Sequence, residues 1–184
     1  MTRIHTVGHS TRSLEELIAL LRRHGVNHVA DVRAHPGSRR HPRFGRDALA
    51  NSLPAVELSY SHHPELGGRR RGLADSPNGA WRNASFRAYA DYMGTQEFER
   101  ALDDLCVLAD RRSVAIMCAE AVPWRCHRWL ISDALVARGV DVRHILDSKS
   151  EVHTLTRFAE VRDGKLVYPP DDTSGSLPDL FEQV

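Results

Sequence analysis

Short apolar runs alternate along the chain with longer stretches whose apolar residues recur at helical spacing. Residues 4–7, 27–32, 56–60, 113–117 and 141–146 read as strands, and the run Ser113-Val114-Ala115-Ile116-Met117 has the length and branching of a buried one. Between them, Ser13 stands as an N-cap with Glu16 three residues on, and Leu14, Leu17, Ile18, Leu20 and Leu21 form a stripe that stops at Gly25. Residues 46–52 predict a short helix. Phe86, Tyr89, Ala90 and Met93 mark a further helix that breaks at Gly94-Thr95, and Phe98, Leu102, Leu105 and Leu108 mark the next. Trp129, Leu130, Ile131, Leu135 and Val136 mark the last.

Strands alternating with helices predict one Rossmann-like, three-layer α/β domain with a mostly parallel sheet of about five strands. Residues 1–147 make up that domain and residues 148–184 a C-terminal extension. In the extension, residues 157–161 and 165–168 flank Asp163-Gly164 as a β-hairpin, and a flexible tail follows. The polar clusters then share one edge of the sheet. Gly8-His9-Ser10, Asp31-Val32-Arg33, His62-His63 and Cys118-Ala119-Glu120 each lie just past a strand, where open parallel sheets bind ligands. The Gly/Pro/Arg-rich stretch 62–83 is a long loop of the kind that usually carries function.

Composition narrows the classes. A chain of 184 residues with 41% hydrophobic and 27% charged positions supports one domain with a full core. No run approaches the roughly 18 apolar residues of a membrane span, so no membrane partner is expected. The N-terminus enters strand-like sequence with no apolar signal segment, and three cysteines do not suggest a secreted disulfide framework, so the expected location is cytoplasmic. A net charge of +1 argues against a general field for nucleic acid, yet all but two of the 25 basic residues are arginine, the better bidentate partner for phosphate and carboxylate.

The densest chemistry lies between Cys118 and Arg128, where two thiols, a carboxylate, an imidazole and two guanidiniums precede a helix. A cysteine there, beside arginine and a helix N-terminus, is set for thiolate formation. Cys118 or Cys126 is the candidate nucleophile, with Glu120 or His127 as proton carrier. Six residues separate Cys118 from Arg125 where a cysteine phosphatase loop has five, which argues against that chemistry. A redox reading pairs Cys118 with Cys126. A metal reading adds His9 to Cys118, Glu120, Cys126 and His127, but adjacent Cys126 and His127 are expected to point to different faces of a helix, so no metal ligand is assigned.

The remaining candidates form an anion pocket or a salt-bridged rim. Arg33, Arg39, Arg69, Arg125 and Arg128, with Ser10 and Ser38, converge on a ligand in the first case, and Asp31 and Glu120 orient them. In the second the acids simply pair with the arginines. A competing nucleic-acid reading uses Arg69-Arg70-Arg71 near Trp81 and Phe86 as backbone and stacking contacts. Leu177-Pro178-Asp179-Leu180-Phe181 places apolar anchors that suit docking on a partner, although a frayed terminus explains them as well.

Several of these clusters together resemble the DUF 488 family, catalogued only as a domain of unknown function. The matching residues are Thr6-Val7-Gly8-His9-Ser10, Asp31-Val32-Arg33 with Pro36, Ser38-Arg39 and Phe44, Tyr60 with Leu66-Gly67-Gly68, and Cys118-Ala119-Glu120 with Cys126-His127-Arg128. The resemblance implies an α/β fold and a shared polar site, and it brings no activity and no cofactor. With His62 and Arg69 from the long loop, the expected pocket draws on all four strand-end segments. The expected function is an enzyme acting on a small phosphate-bearing or nucleotide-like substrate through a Cys/Glu/His site. A non-catalytic nucleotide- or nucleic-acid-binding module is the alternative, and a metal-binding protein a further one.

Overall fold

A computed structural model describes residues 2–37 and 41–170. Five parallel strands, β1 (Arg3–Gly8), β2 (His28–Asp31), β3 (Ser59–His62), β4 (Val114–Cys118) and β5 (Asp141–Ile145), are joined by a short antiparallel edge strand, β6 (Ser150–Val152). The order is β3-β2-β4-β1-β5-β6. Here β4 lies between β2 and β1, whereas a dinucleotide-binding Rossmann sheet places its first strand next to its second. A separate hairpin, β7 (Glu160–Arg162) and β8 (Lys165–Val167), turns at Asp163-Gly164 as the sequence indicates.

Two cores flank the sheet because side chains alternate along each strand. Val114 and Ile116 of β4 face one core with α3 (Ala84–Met93), α4 (Gln96–Arg111) and α5 (Arg128–Ala137). Ala115 and Met117 face the other, with α1 (Leu14–Arg23) and α2 (Arg46–Ser52). The three-layer architecture is thus present. At the start of α1, Ser13 and Glu16 form the capping box that their spacing predicts.

The third strand begins three residues later than the apolar pattern suggests. Residues Pro54–Val56 form a 3-10 turn and Glu57 adopts a left-handed conformation, so Leu58 is spent on the core beneath α2 rather than on pairing. The sixth strand escapes sequence reading because it has only three residues, two of them exposed.

The C-terminal extension, as far as it is described, is bound to the domain. Asp133 of α5 is fully buried and accepts hydrogen bonds from the Thr156 backbone and hydroxyl and from the Tyr168 hydroxyl, at 2.7–2.8 Å. His153 Nε2 lies 2.9 Å from the same carboxylate, and its Nδ1 lies 2.9 Å from His144 of β5. Trp81 packs its ring against Phe158 and Tyr168. The segment Leu177-Phe181 lies outside the described residues.

Glycine governs the approach of the first and fourth loops. A Cβ on Gly8 would sit 1.8 Å from the Glu120 carbonyl oxygen, so only glycine lets the loop after β4 fold over the end of β1. The backbone N–H groups of His9 and Ser10 then donate to the carbonyls of Cys118 and Ala119 at 3.0 and 2.9 Å.

Candidate thiol site

Cys118 closes β4, and Pro123–Arg125 form a 3-10 turn that delivers Cys126 in extended conformation immediately before α5. His127 is the N-cap of that helix and Arg128 its first residue. Because Cys126 precedes the helix, its side chain is not bound to helical directions. Its Sγ lies 3.6 Å from His127 Nδ1, which overturns the expectation that these neighbours diverge on a helix. The sulfurs of Cys118 and Cys126 and a nitrogen of His127 all lie within 4.8 Å of one another.

The charges favour ionisation of one thiol. Arg128 donates to the Cys126 sulfur twice, from its backbone N–H at 3.5 Å and from Nε at 3.4 Å, while its Nη2 donates to the Glu120 carbonyl at 2.5 Å. Burial alone would raise the Cys126 pKa. The hydrogen bond from Cys118 and the charge and N–H groups of Arg128 outweigh burial and hold it down at about 6. Cys118 is the donor of that pair and is buried, which pushes its thiol up to about 12. The two thiols therefore titrate as a unit that releases its first proton early and its second very late.

His127 is fixed in one orientation. A carbonyl oxygen only accepts, so the 2.9 Å contact to Val32 makes His127 Nε2 the donor and leaves Nδ1 facing the sulfurs. The Tyr89 ring stands 5.3 Å away, and its hydroxyl donates to the Leu66 carbonyl at 2.7 Å. A Cβ on Gly68 would lie 3.2 Å from His127 Nδ1, and one on Gly67 2.8 Å from Ala34. These two glycines bring their loop against the imidazole. Tyr89 is a neighbour that sequence reading missed, since it is one apolar position among several on α3.

The other candidate residues form a second cluster. Asp31 is fully buried and accepts from the Arg33 backbone N–H at 3.1 Å, from Arg33 Nε at 2.8 Å, from Arg33 Nη2 at 2.6 Å and from the Tyr60 hydroxyl at 2.8 Å. Arg33 also donates to the Phe44 carbonyl at 2.7 Å, and His62 Nε2 donates to the Arg33 carbonyl at 2.8 Å. His9 stacks on Phe44 at 4.3 Å and lies 3.3 Å from Arg33. Asp31 and His9 alternate with residues of the α3–α5 side, so this cluster and the thiols occupy opposite faces of the sheet edge. The bond from His127 to Val32 joins them through the backbone of β2's end.

Two arginines expected to bind an anion are thus engaged inside the fold. Arg33 matches the salt-bridged alternative, and Arg128 serves the Cys126 sulfur. Glu120 is exposed and contributes its carbonyl, while Ser10 adopts a left-handed conformation at the rim. Arg69 and Arg125 are exposed; Ser38 and Arg39 lie outside the described residues. A cavity of about 590 Å³ opens beyond β2 and β3, lined by His35, Pro36, Arg46, Asp47 and His62 among others, with neither cysteine on its wall.

The arginine triplet is not a uniform basic track. Arg70 lies over the Tyr92 ring at 3.6 Å and donates to the carbonyls of Gly67, Pro64 and Glu65. Trp81, expected to stack on a base, is 4% exposed and belongs to the core. Among the described residues, no helix is long and apolar enough to cross a membrane. The model of the DUF488 family, described as a domain of unknown function, matches residues 13–135. No curated protein and no solved structure matches the chain.

Proposed function

The chain belongs to the DUF488 family, and from that premise we propose that it is a thiol-dependent enzyme whose nucleophile is Cys126. The observation that carries this reading is the Cys126 sulfur held between two N–H donors of Arg128, with the Cys118 thiol and His127 Nδ1 alongside. Arg128 and the start of α5 hold the negative charge of the thiolate. His127 takes or returns a proton at Nδ1, because Nε2 is occupied by Val32. Glu120, the other expected proton carrier, acts through its carbonyl by fixing Arg128.

A phosphate-bearing or nucleotide-like substrate, the class suggested by arginine content, has less to hold it, because Arg33 and Arg128 are already paired. A small electrophile suits the buried sulfur better. Alkylation with iodoacetamide, mapped by peptide mass across pH, tests the assignment. Cys126 should label first, with a midpoint near pH 6, ahead of Cys106 and Cys118. Labelling of half-buried Cys106 before Cys126 at neutral pH would remove the nucleophile from this site.

A second reading, a metal centre, is favoured by the spacing of Cys118, Cys126 and His127 and by the bond from His127 Nε2 to a backbone carbonyl, a common outer contact of metal-bound imidazole. Three such ligands suit zinc with a fourth position open. The Arg128 guanidinium on the Cys126 sulfur opposes it, since it places a cation where the metal would add another. Protection of both cysteines from alkylation by one equivalent of zinc separates the two readings.

A further inference from the structure

We infer that Cys118 and Cys126 form a peroxide-reactive dithiol, in which Cys126 is oxidised by a small hydroperoxide and Cys118 resolves the product as an intramolecular disulfide. The inference rests on the Cys126 nucleophile and adds the substrate class and the role of the second thiol.

Three observations carry it. The two sulfurs lie within 4.8 Å of each other, and neither cysteine is inside a helix, since Cys118 ends β4 and Cys126 stands between the 3-10 turn and α5. No helical turn therefore fixes either side chain, and rotation about the Cα–Cβ bonds is the motion that would bring the sulfurs towards the roughly 2 Å of a disulfide. Exposures of 8% and 3% exclude a bulky substrate and admit a small one such as hydrogen peroxide. Arg128 Nε, 3.4 Å from the Cys126 sulfur, is placed to donate to the oxygen that leaves.

The chemistry closes without a further reductant or oxidant. The Cys126 thiolate attacks one peroxide oxygen, the O–O bond breaks, and the departing alkoxide or hydroxide takes a proton from solvent, leaving Cys126 as a sulfenic acid. The Cys118 sulfur then attacks the sulfenic sulfur, the S–O bond breaks, and hydroxide leaves with the Cys118 proton as water. Two electrons pass from the thiol pair to the peroxide, giving one disulfide, one alcohol or water, and one further water. His127 Nδ1 faces both sulfurs and is positioned to carry the Cys118 proton to the leaving hydroxide.

Cys106 provides an internal control, because it is the remaining cysteine of the three and lies on α4 away from the pair. The reduced wild-type protein is treated with one equivalent of hydrogen peroxide, its free thiols are counted, and its peptides are mapped by mass. Two thiols should disappear together into a Cys118–Cys126 disulfide, about 100-fold faster than Cys106 is oxidised. Cys118→Ser should retain the fast step and accumulate a trappable sulfenic acid on Cys126. Cys126→Ser should lose it, and Cys106→Ser should change nothing. The inference is overturned if the wild-type protein keeps all three thiols, oxidises them at one common slow rate, or forms a disulfide through Cys106. The wild-type thiol count decides this even where a variant fails to fold. Fast alkylation of Cys126 combined with slow peroxide reaction overturns the inference alone, whereas inertness to both reagents overturns the nucleophile as well.

Discussion

Acidification from neutral pH to about pH 5 should strip the fold of most of its stability. Burial holds His5, His9 and His28 neutral down to about pH 4 and His144 down to about pH 3, with neighbouring Arg33 adding to the effect at His9. All four rings are at most 7% exposed. In the unfolded chain they charge near the ordinary value of 6.5, so the unfolded state gains protons that the folded state refuses. The stability they contribute is full above pH 6.5 and is lost as pH falls toward 4. Four such groups cost on the order of 5 kcal/mol between neutral pH and about 5, comparable with the whole stability of an average domain. Thermal unfolding followed by circular dichroism at neutral and acid pH measures this. A midpoint that moves by less than a few degrees would show that these rings charge in place.

Replacing Arg128 by methionine should strip Cys126 of most of its thiolate at neutral pH. The guanidinium is 1% exposed and is the one full positive charge shown in contact with the Cys126 sulfur. Without it, the Cys118 hydrogen bond and the backbone N–H of residue 128 still oppose burial, but the charge and the Nε donor are gone. The thiol pKa then rises toward the ordinary range, and the thiolate fraction at neutral pH falls from about nine-tenths to about one-tenth. Alkylation of Cys126 at neutral pH should slow by about tenfold. The variant should also lose about 3 kcal/mol of stability, since the Glu120 carbonyl and the sulfur both lose a donor. Arg128→Lys keeps a charge but cannot reach sulfur and carbonyl with one planar fork, so it should recover only part of the rate. A folded Arg128→Met protein that alkylates at the wild-type rate would assign the low pKa to another cause.

Much of the fold was legible because the apolar runs are long enough to distinguish strand from helix, and the strand-end position of the polar clusters followed from it. The third strand was misplaced where Val56 and Leu58, apolar enough for a strand, serve the core beneath a 3-10 turn. Within the site, the types of residue were readable and their pairing was not. Whether Cys126 meets His127 depends on the turn made by Pro123–Arg125 and on His127 being a cap rather than a helical residue. Arg33 looked like an anion ligand, but an aspartate two residues away at the same strand end satisfies its fork. The network joining Asp133, His153 and His144 links α5, β5 and the segment after β6, so no local pattern announces it.

One ionised cysteine is the centre of the proposed site, and the ultraviolet absorbance of thiolate, recorded from about pH 5.5 upward with circular dichroism to confirm folding, tests it most directly. The wild-type protein should show one thiolate appearing with a midpoint near 6, and that step should be missing in Cys126→Ser. A wild-type titration with no thiolate until the ordinary alkaline range, in a protein that remains folded, would contradict it.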